Sequence, residues 1–222
     1  MIRLVISIYL MGSIIYKRWI FTFPKDHKTR PIQLLLPCTA GNAEEYRIDT
    51  TKAGIAGYSS GGHLALLYAY TKTDTPIPID FVISETGPTN FLDPKTFTED
   101  GGMWLHEGHD GHGDIAIYPS MSKSYRLDLI GTLTGVEYGE LGWEETWRKA
   151  SPAHIVTSTS PKTYLFYGSH DAIVPMSHAE LLKSKHPNCV LYEIVNTAHE
   201  LYENPVELQN FHTRLSAILE EF

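Results

Sequence analysis

The chain has 222 residues, 42% of them apolar and 20% charged, with a formal net charge of −8. This length and balance suit one large sheet-centred domain with a sizeable core and exclude a disordered chain. Its Lys and Arg residues are scattered, which excludes a nucleic-acid surface, because phosphate binding needs a clustered basic patch. The two cysteines, Cys38 and Cys189, have no metal-type spacing and read as inert packing thiols, not as a disulfide framework.

At the N-terminus, "LVISIYLMGSIIY", Leu4 to Tyr16, is an uncharged apolar run between Arg3 and Lys17-Arg18. It is too short to span a bilayer, and no small-x-small cleavage site precedes the Lys-Arg pair. The run therefore reads as buried strand, with no stable membrane insertion and a cytoplasmic location; if it instead acts as a signal, the protein is exported. From Ala53 to Tyr58 the residues are small and apolar, as in a strand buried on both faces. A helix follows, with His63, Leu64, Leu67 and Tyr68 as its sheet-facing stripe.

"IDFVISETG", Ile79 to Gly87, is the next strand. Residues 88–139 are rich in Gly, Asp, His, Tyr and Ser and read as an insertion or lid, within which "SYRLDLIGTLTG" forms a short helix ending at Gly135. "GWEETWRKASPAHIV" is helical until Ser151-Pro152, where the proline stops it. "KTYLFYGSHD" is a strand ended by Gly168, with Asp171 just beyond it. "SHAELLKSKHP" is a helix with Ser177 as N-cap. "CVLYEIVNTAHE" is a strand with His199 past its end. The last helix starts at the N-cap candidate Asn204 and places Val206, Phe211, Leu215 and Leu219 near one face. Alternating strands and helices predict an α/β fold, a mainly parallel sheet flanked by helices.

Sites in open parallel sheets gather at the carboxyl ends of strands. Ser59, Asp171 and His199 each follow a predicted strand, and together they supply a hydroxyl to attack, an imidazole to take its proton and a carboxylate to orient the imidazole. The stretch "GYSSGGH" also has a plainer reading as a Gly-rich turn or phosphate loop, but a Walker-type loop needs Lys-Ser/Thr where His63-Leu64 stands. A second cluster, His106, His109, Asp110, His112 and Asp114, offers metal-type ligands, yet Gly108, Gly111 and Gly113 break any helix. No defined zinc spacing is met, and the cluster reads as a solvated loop with no metal. Glu85 is an orienting or structural acid.

Gly57-Tyr58-Ser59-Ser60-Gly61 fills G-x-S-x-G, and Ser, Asp and His follow in that chain order. On these residues the chain resembles the α/β-hydrolase fold family, and on Gly61-Gly62-His63-Leu64-Ala65, "ASPAHIV", "YGSHDAIVP" and "NTAHE" it is most similar to that family's esterases and lipases. The resemblance covers about Gly41 to Phe222. It implies a single α/β-hydrolase domain over residues 1–222 that cleaves small-molecule carboxylic esters through an acyl-enzyme on Ser59, with Asp171 and His199 completing the triad and no cofactor.

It also implies that the Ser60 N–H donates to the oxyanion. The His-Gly-Gly loop that such esterases carry upstream is absent, so Met11 or Gly12 stands in as the second donor. Few residues precede the elbow, and the early strands are expected to be missing or altered. A peptidase of the same fold, or a catalytically silent binding protein, are the competing readings.

Overall fold

The computed structural model describes residues 2–8, 43–46, 48–72, 74–98, 104–107, 115–118, 122–201 and 204–221. In chain order the strands are β1 (Ile2–Ile8), β2 (Ile48–Tyr58), β3 (Ile79–Glu85), β4 (Trp104–Glu107), β5 (Ile115–Tyr118), β6 (Lys162–Gly168) and β7 (Cys189–Ile194). The helices are α1 (Ala43–Tyr46), α2 (Ser60–Thr71), α3 (Lys123–Thr134), α4 (Trp143–Lys149), α5 (Pro152–Ile155), α6 (Met176–Lys185) and α7 (Pro205–Glu221). Among the described residues, five strands form one parallel sheet in the order β1-β2-β3-β6-β7. β4 and β5 form a separate antiparallel pair in the excursion between β3 and β6.

Both faces of the central strands are covered, so β3 from Phe81 and β6 from Thr163 are buried to their ends and read as continuous apolar runs. Ile55, Val82, Leu165 and Tyr167 face a core completed by Ala65, Leu66 and Ala69 of α2 and Ala179 and Leu182 of α6. Phe81, Ile83, Tyr164 and Phe166 face the opposite way, onto Phe211 and Ile218 of α7. A third cluster around Phe91, Ile130 and Trp147 belongs to the excursion.

The parallel α/β sheet agrees with the sequence expectation; three local readings need correction. On α2 the buried face is Gly61, Gly62, His63, Ala65, Leu66 and Ala69, while Leu64, Leu67 and Tyr68 are half-buried flanks. The helix packs through its small residues because they let its backbone approach the sheet: a Cβ on Gly62 would lie 2.6 Å from Ser84 Oγ. The helix from Trp143 stops before Ser151-Pro152 as expected, and Pro152 also opens α5, at the first-turn position where a missing N–H costs nothing.

Ser177 is not an N-cap. α6 begins one residue earlier, after Pro175, and the buried Ser177 Oγ has no hydrogen-bond partner among the described residues. Asn204 Oδ1 does accept from the amides of Val206 and Glu207 at the start of α7, but Val206 itself is 69% exposed. At about 100° per residue, five positions place Val206 about 140° around the helix from Phe211.

The N-terminal run forms a strand only over Ile2–Ile8 in the described residues, and β1 pairs alongside β2 as far as Ile8 opposite Gly57. Met11, Gly12 and Cys38 lie outside the described residues. No helix among those described is long and apolar enough to cross a membrane.

Candidate active site

β2 ends at Tyr58 and α2 starts at Ser60, leaving Ser59 alone to make the turn. It does so at φ 52° and ψ −123°, a conformation that costs a non-glycine residue energy and persists only where neighbours enforce it. The enforcement is visible: Ser59 N–H donates to Glu85 O at 2.7 Å, and His63 N–H donates to Ser59 O at 3.1 Å. A Cβ on Gly57 would overlap the Gly61 carbonyl and sit 2.6 Å from Gly62 N, so only glycine permits the strand and helix to meet this closely.

The loops after β6 and β7 supply the other two groups. Gly168 is the point where they converge, since a Cβ there would run into the carbonyls of Thr197 and Ala198. Asp171 has a fully buried side chain whose Oδ1 accepts from Ile173 N (2.8 Å) and Val174 N (2.9 Å). Its Oδ2 lies 2.8 Å from His199 Nδ1, and His199 Nε2 lies 2.9 Å from Ser59 Oγ. A carboxylate can only accept, so Nδ1 carries the proton that faces Asp171 and Nε2 presents a lone pair to the Ser59 hydroxyl. The arrangement can take a proton from the hydroxyl and stabilise the resulting imidazolium.

Beneath these residues lies a buried polar network. The segment after β3, Gly87 to Asn90, is held from three sides: Tyr167 Oη donates to Gly87 O, His63 Nδ1 donates to Pro88 O at 2.7 Å, and His178 Nδ1 accepts from both Thr89 N and Asn90 N at 3.1 Å. Thr89 Oγ1 returns a bond to His178 O, and His154 Nε2 meets Asn90 Oδ1 at 3.0 Å. Burial pushes His63 down to about 4, against the favourable Pro88 carbonyl. Burial likewise pushes His178 down to about 4, although the Asp93 and Asp171 carboxylates pull the other way. His178 accepts two amides only while neutral, so the network and the lowered basicity agree.

The structure thus brings Ser59, Asp171 and His199 together and places Ser60 at the first position of α2, among the amides a helix leaves without internal acceptors. Gly12 lies outside the described residues. Glu85 is buried, and its carbonyl anchors the Ser59 amide. His106 falls in β4; His109, Asp110, His112 and Asp114 lie outside the described residues. Cys189 is buried with its thiol pushed up to about 12 by desolvation, as expected of a packing thiol. The sequence reading missed Tyr167, His178 and the hydrogen bond of His63, because no local spacing links them to the segment they hold.

A Ser elbow after β2, an acid loop after β6 and a base loop after β7 meet at the carboxyl edge of one parallel sheet. The BD-FAE family model covers residues 38–186. The chain belongs to the BD-FAE family of α/β-hydrolase-fold esterases. The BD-FAE match contains the elbow and Asp171 and ends before His199.

Solved structures with the same fold include a truncated carbohydrate esterase from gut microbiota, with TM-score 0.52 and 19% identity over 84% of this chain and 67% of that one. Esterase B from Lactobacillus Rhamnosis HN001 is similar at TM-score 0.56 and 14% identity over 84% of this chain and 58% of that one. An acetyl ester-xyloside bifunctional hydrolase from Caldicellulosiruptor lactoaceticus is similar at TM-score 0.53 and 17% identity over 85% and 62%. The chain therefore spans less than two thirds of the length of the last two. No curated protein matches it.

Proposed function

We propose that this BD-FAE member is a serine hydrolase that cleaves carboxylic esters of small or medium acyl groups. The observation that carries the reading is the unbroken line from Ser59 Oγ through His199 to Asp171, at 2.9 and 2.8 Å, on the carboxyl edge of the sheet. Ser59 Oγ attacks the ester carbonyl as its proton passes to His199 Nε2, and Asp171 holds the imidazolium. Collapse of the tetrahedral intermediate breaks the C–O bond, His199 returns the proton to the leaving alcohol, and water repeats the sequence on the acyl-enzyme. No step calls for a metal or organic cofactor.

The Ser60 N–H is the first oxyanion donor in this reading. The pairing of Ile8 with Gly57 supports a second donor from the residues that follow β1, with Gly12 as the candidate. Residues 88–139 are an insertion or lid in this reading.

Two measurements test the reading: turnover of aryl acetate and butyrate esters, an O-acetylated sugar and peptide amides, and labelling by a fluorophosphonate with peptide mapping. Ester turnover with the label on Ser59 is the expected result. Label on Ser60 refutes the assignment, amide preference favours a peptidase, and a folded protein inert to every substrate and to the probe favours a binding role.

A further inference from the structure

In the sheet order β2-β3-β6-β7, the strand that carries His199 lies three places from the strand that carries Ser59. At about 4.8 Å per strand, the base loop must reach back about 14 Å across the edge of the sheet to meet the nucleophile. Its supports are placed along that path. Near β7 it is pinned to the β6 loop, where Asn196 N–H donates to Ser169 Oγ at 2.9 Å and His170 N–H donates to Thr197 O at 2.9 Å. At its far end, Tyr58 Oη donates to the His199 carbonyl at 3.2 Å, across 141 residues of sequence. The Tyr58 ring also lies against the imidazole, with centroids 5.3 Å apart and planes tilted by 48°.

From this geometry, and resting on the esterase reading above, we infer that Tyr58 is a positioning residue that ties the base loop to the elbow. The residue next to the nucleophile thereby fixes the imidazole that must serve it. Ser59 cannot drift independently, because its own amide is bonded to Glu85 O, and its neighbour Tyr58 holds the His199 main chain. Tyr58 thus gives one rigid reference to two groups that the chain delivers from distant strands. The hydroxyl sets the distance of the loop, and the ring sets the plane of the imidazole.

The test compares the wild type, Tyr58→Phe and Tyr58→Leu, with rates expressed per site titrated by the fluorophosphonate. One hydrogen bond of this type contributes enough to predict a fall of about tenfold in kcat for Tyr58→Phe at unchanged KM. Tyr58→Leu, which also loses the ring, is expected to fall further. A purely structural role lowers the melting temperature or the titratable fraction while kcat per site stays put, and that outcome overturns the inference. Wild-type protein that does not label at Ser59 overturns the esterase reading and this inference together. Labelled wild type with an equally fast Tyr58→Phe overturns the inference alone.

Discussion

The loops after β6 and β7 and the long excursion after β3 all leave the sheet at its carboxyl edge, but they hold themselves in different ways. The loops are short and sunk into the fold: Asp171, Ala172, Val174, Thr197, Ala198 and Leu201 are all buried, and backbone bonds join one loop to the other. The excursion instead makes a core of its own, in which Trp147 is fully buried among Phe97, Trp143 and Tyr138. Arg126 of α3 secures it internally by donating to the carbonyls of Thr96 and Thr98. Meanwhile Tyr125, Leu129 and Leu133, spaced by four along α3, stay exposed. Groups that must meet within tenths of an ångström are attached directly to the sheet, whereas the middle of the excursion packs on its own aromatic cluster.

The largest effects are expected at the sheet-anchored side. Ser59→Ala should cost about 10⁴-fold or more in ester turnover, and Asp171→Asn about 10³- to 10⁴-fold, with the melting temperature of Ser59→Ala unchanged. Steady-state assays with active-site titration read both. Retained wild-type activity in Asp171→Asn points to another acid, with Glu85 the first to examine.

Gly57→Ala should destabilise by about 3 kcal/mol or more, because the added methyl meets backbone of α2 that cannot step aside. Denaturant unfolding measures this, and a cost below 1 kcal/mol contradicts the tight elbow.

Acid should act through the network beneath the site. His63 and His178 ionise near 6.5 when unfolded but are held down to about 4 when folded. Their neutral forms add no penalty above pH 6.5. As pH falls from 6.5 to 4 the unfolded chain takes up protons that the fold refuses, and each histidine removes about 3 kcal/mol of stability by the lower end. His178→Asn keeps an acceptor for Thr89 and Asn90 without that ionisation, so its stability is expected to decline less steeply across this window. Parallel curves for the two proteins would contradict this account of the network.

The smallest effect belongs to the excursion. Gly135 caps α3 at φ 75° with nothing near its would-be Cβ, so Gly135→Ala meets only the left-handed backbone cost of about 1–2 kcal/mol. Set beside Gly57→Ala in the same denaturant series, it separates crowding at the elbow from backbone strain in the excursion.

The alternation of strands and helices, the elbow and the three residues that meet at it were legible because each leaves a local trace. Apolar runs, Gly-Ser-Gly punctuation, Pro and Asn at helix starts, and reactive residues just past strand ends are short-range signals. The reading faltered where local rules have more than one solution. Ser177 has the chemistry of a cap but lies inside α6, and on α2 close approach to the sheet favours Gly62, Ala65 and Ala69 over the bulkier Leu64, Leu67 and Tyr68.

By itself, then, the sequence determined an α/β chain with a strained serine turn and an acid and a histidine in order behind it. Only the tertiary structure decided that β7 lies three strands from β2, that His63, His178 and Tyr167 grip one buried segment, and that Tyr58 reaches His199. These are contacts between residues tens to more than a hundred positions apart. They depend on strand order and register, which arise from packing the whole sheet and leave no periodicity in the residues themselves.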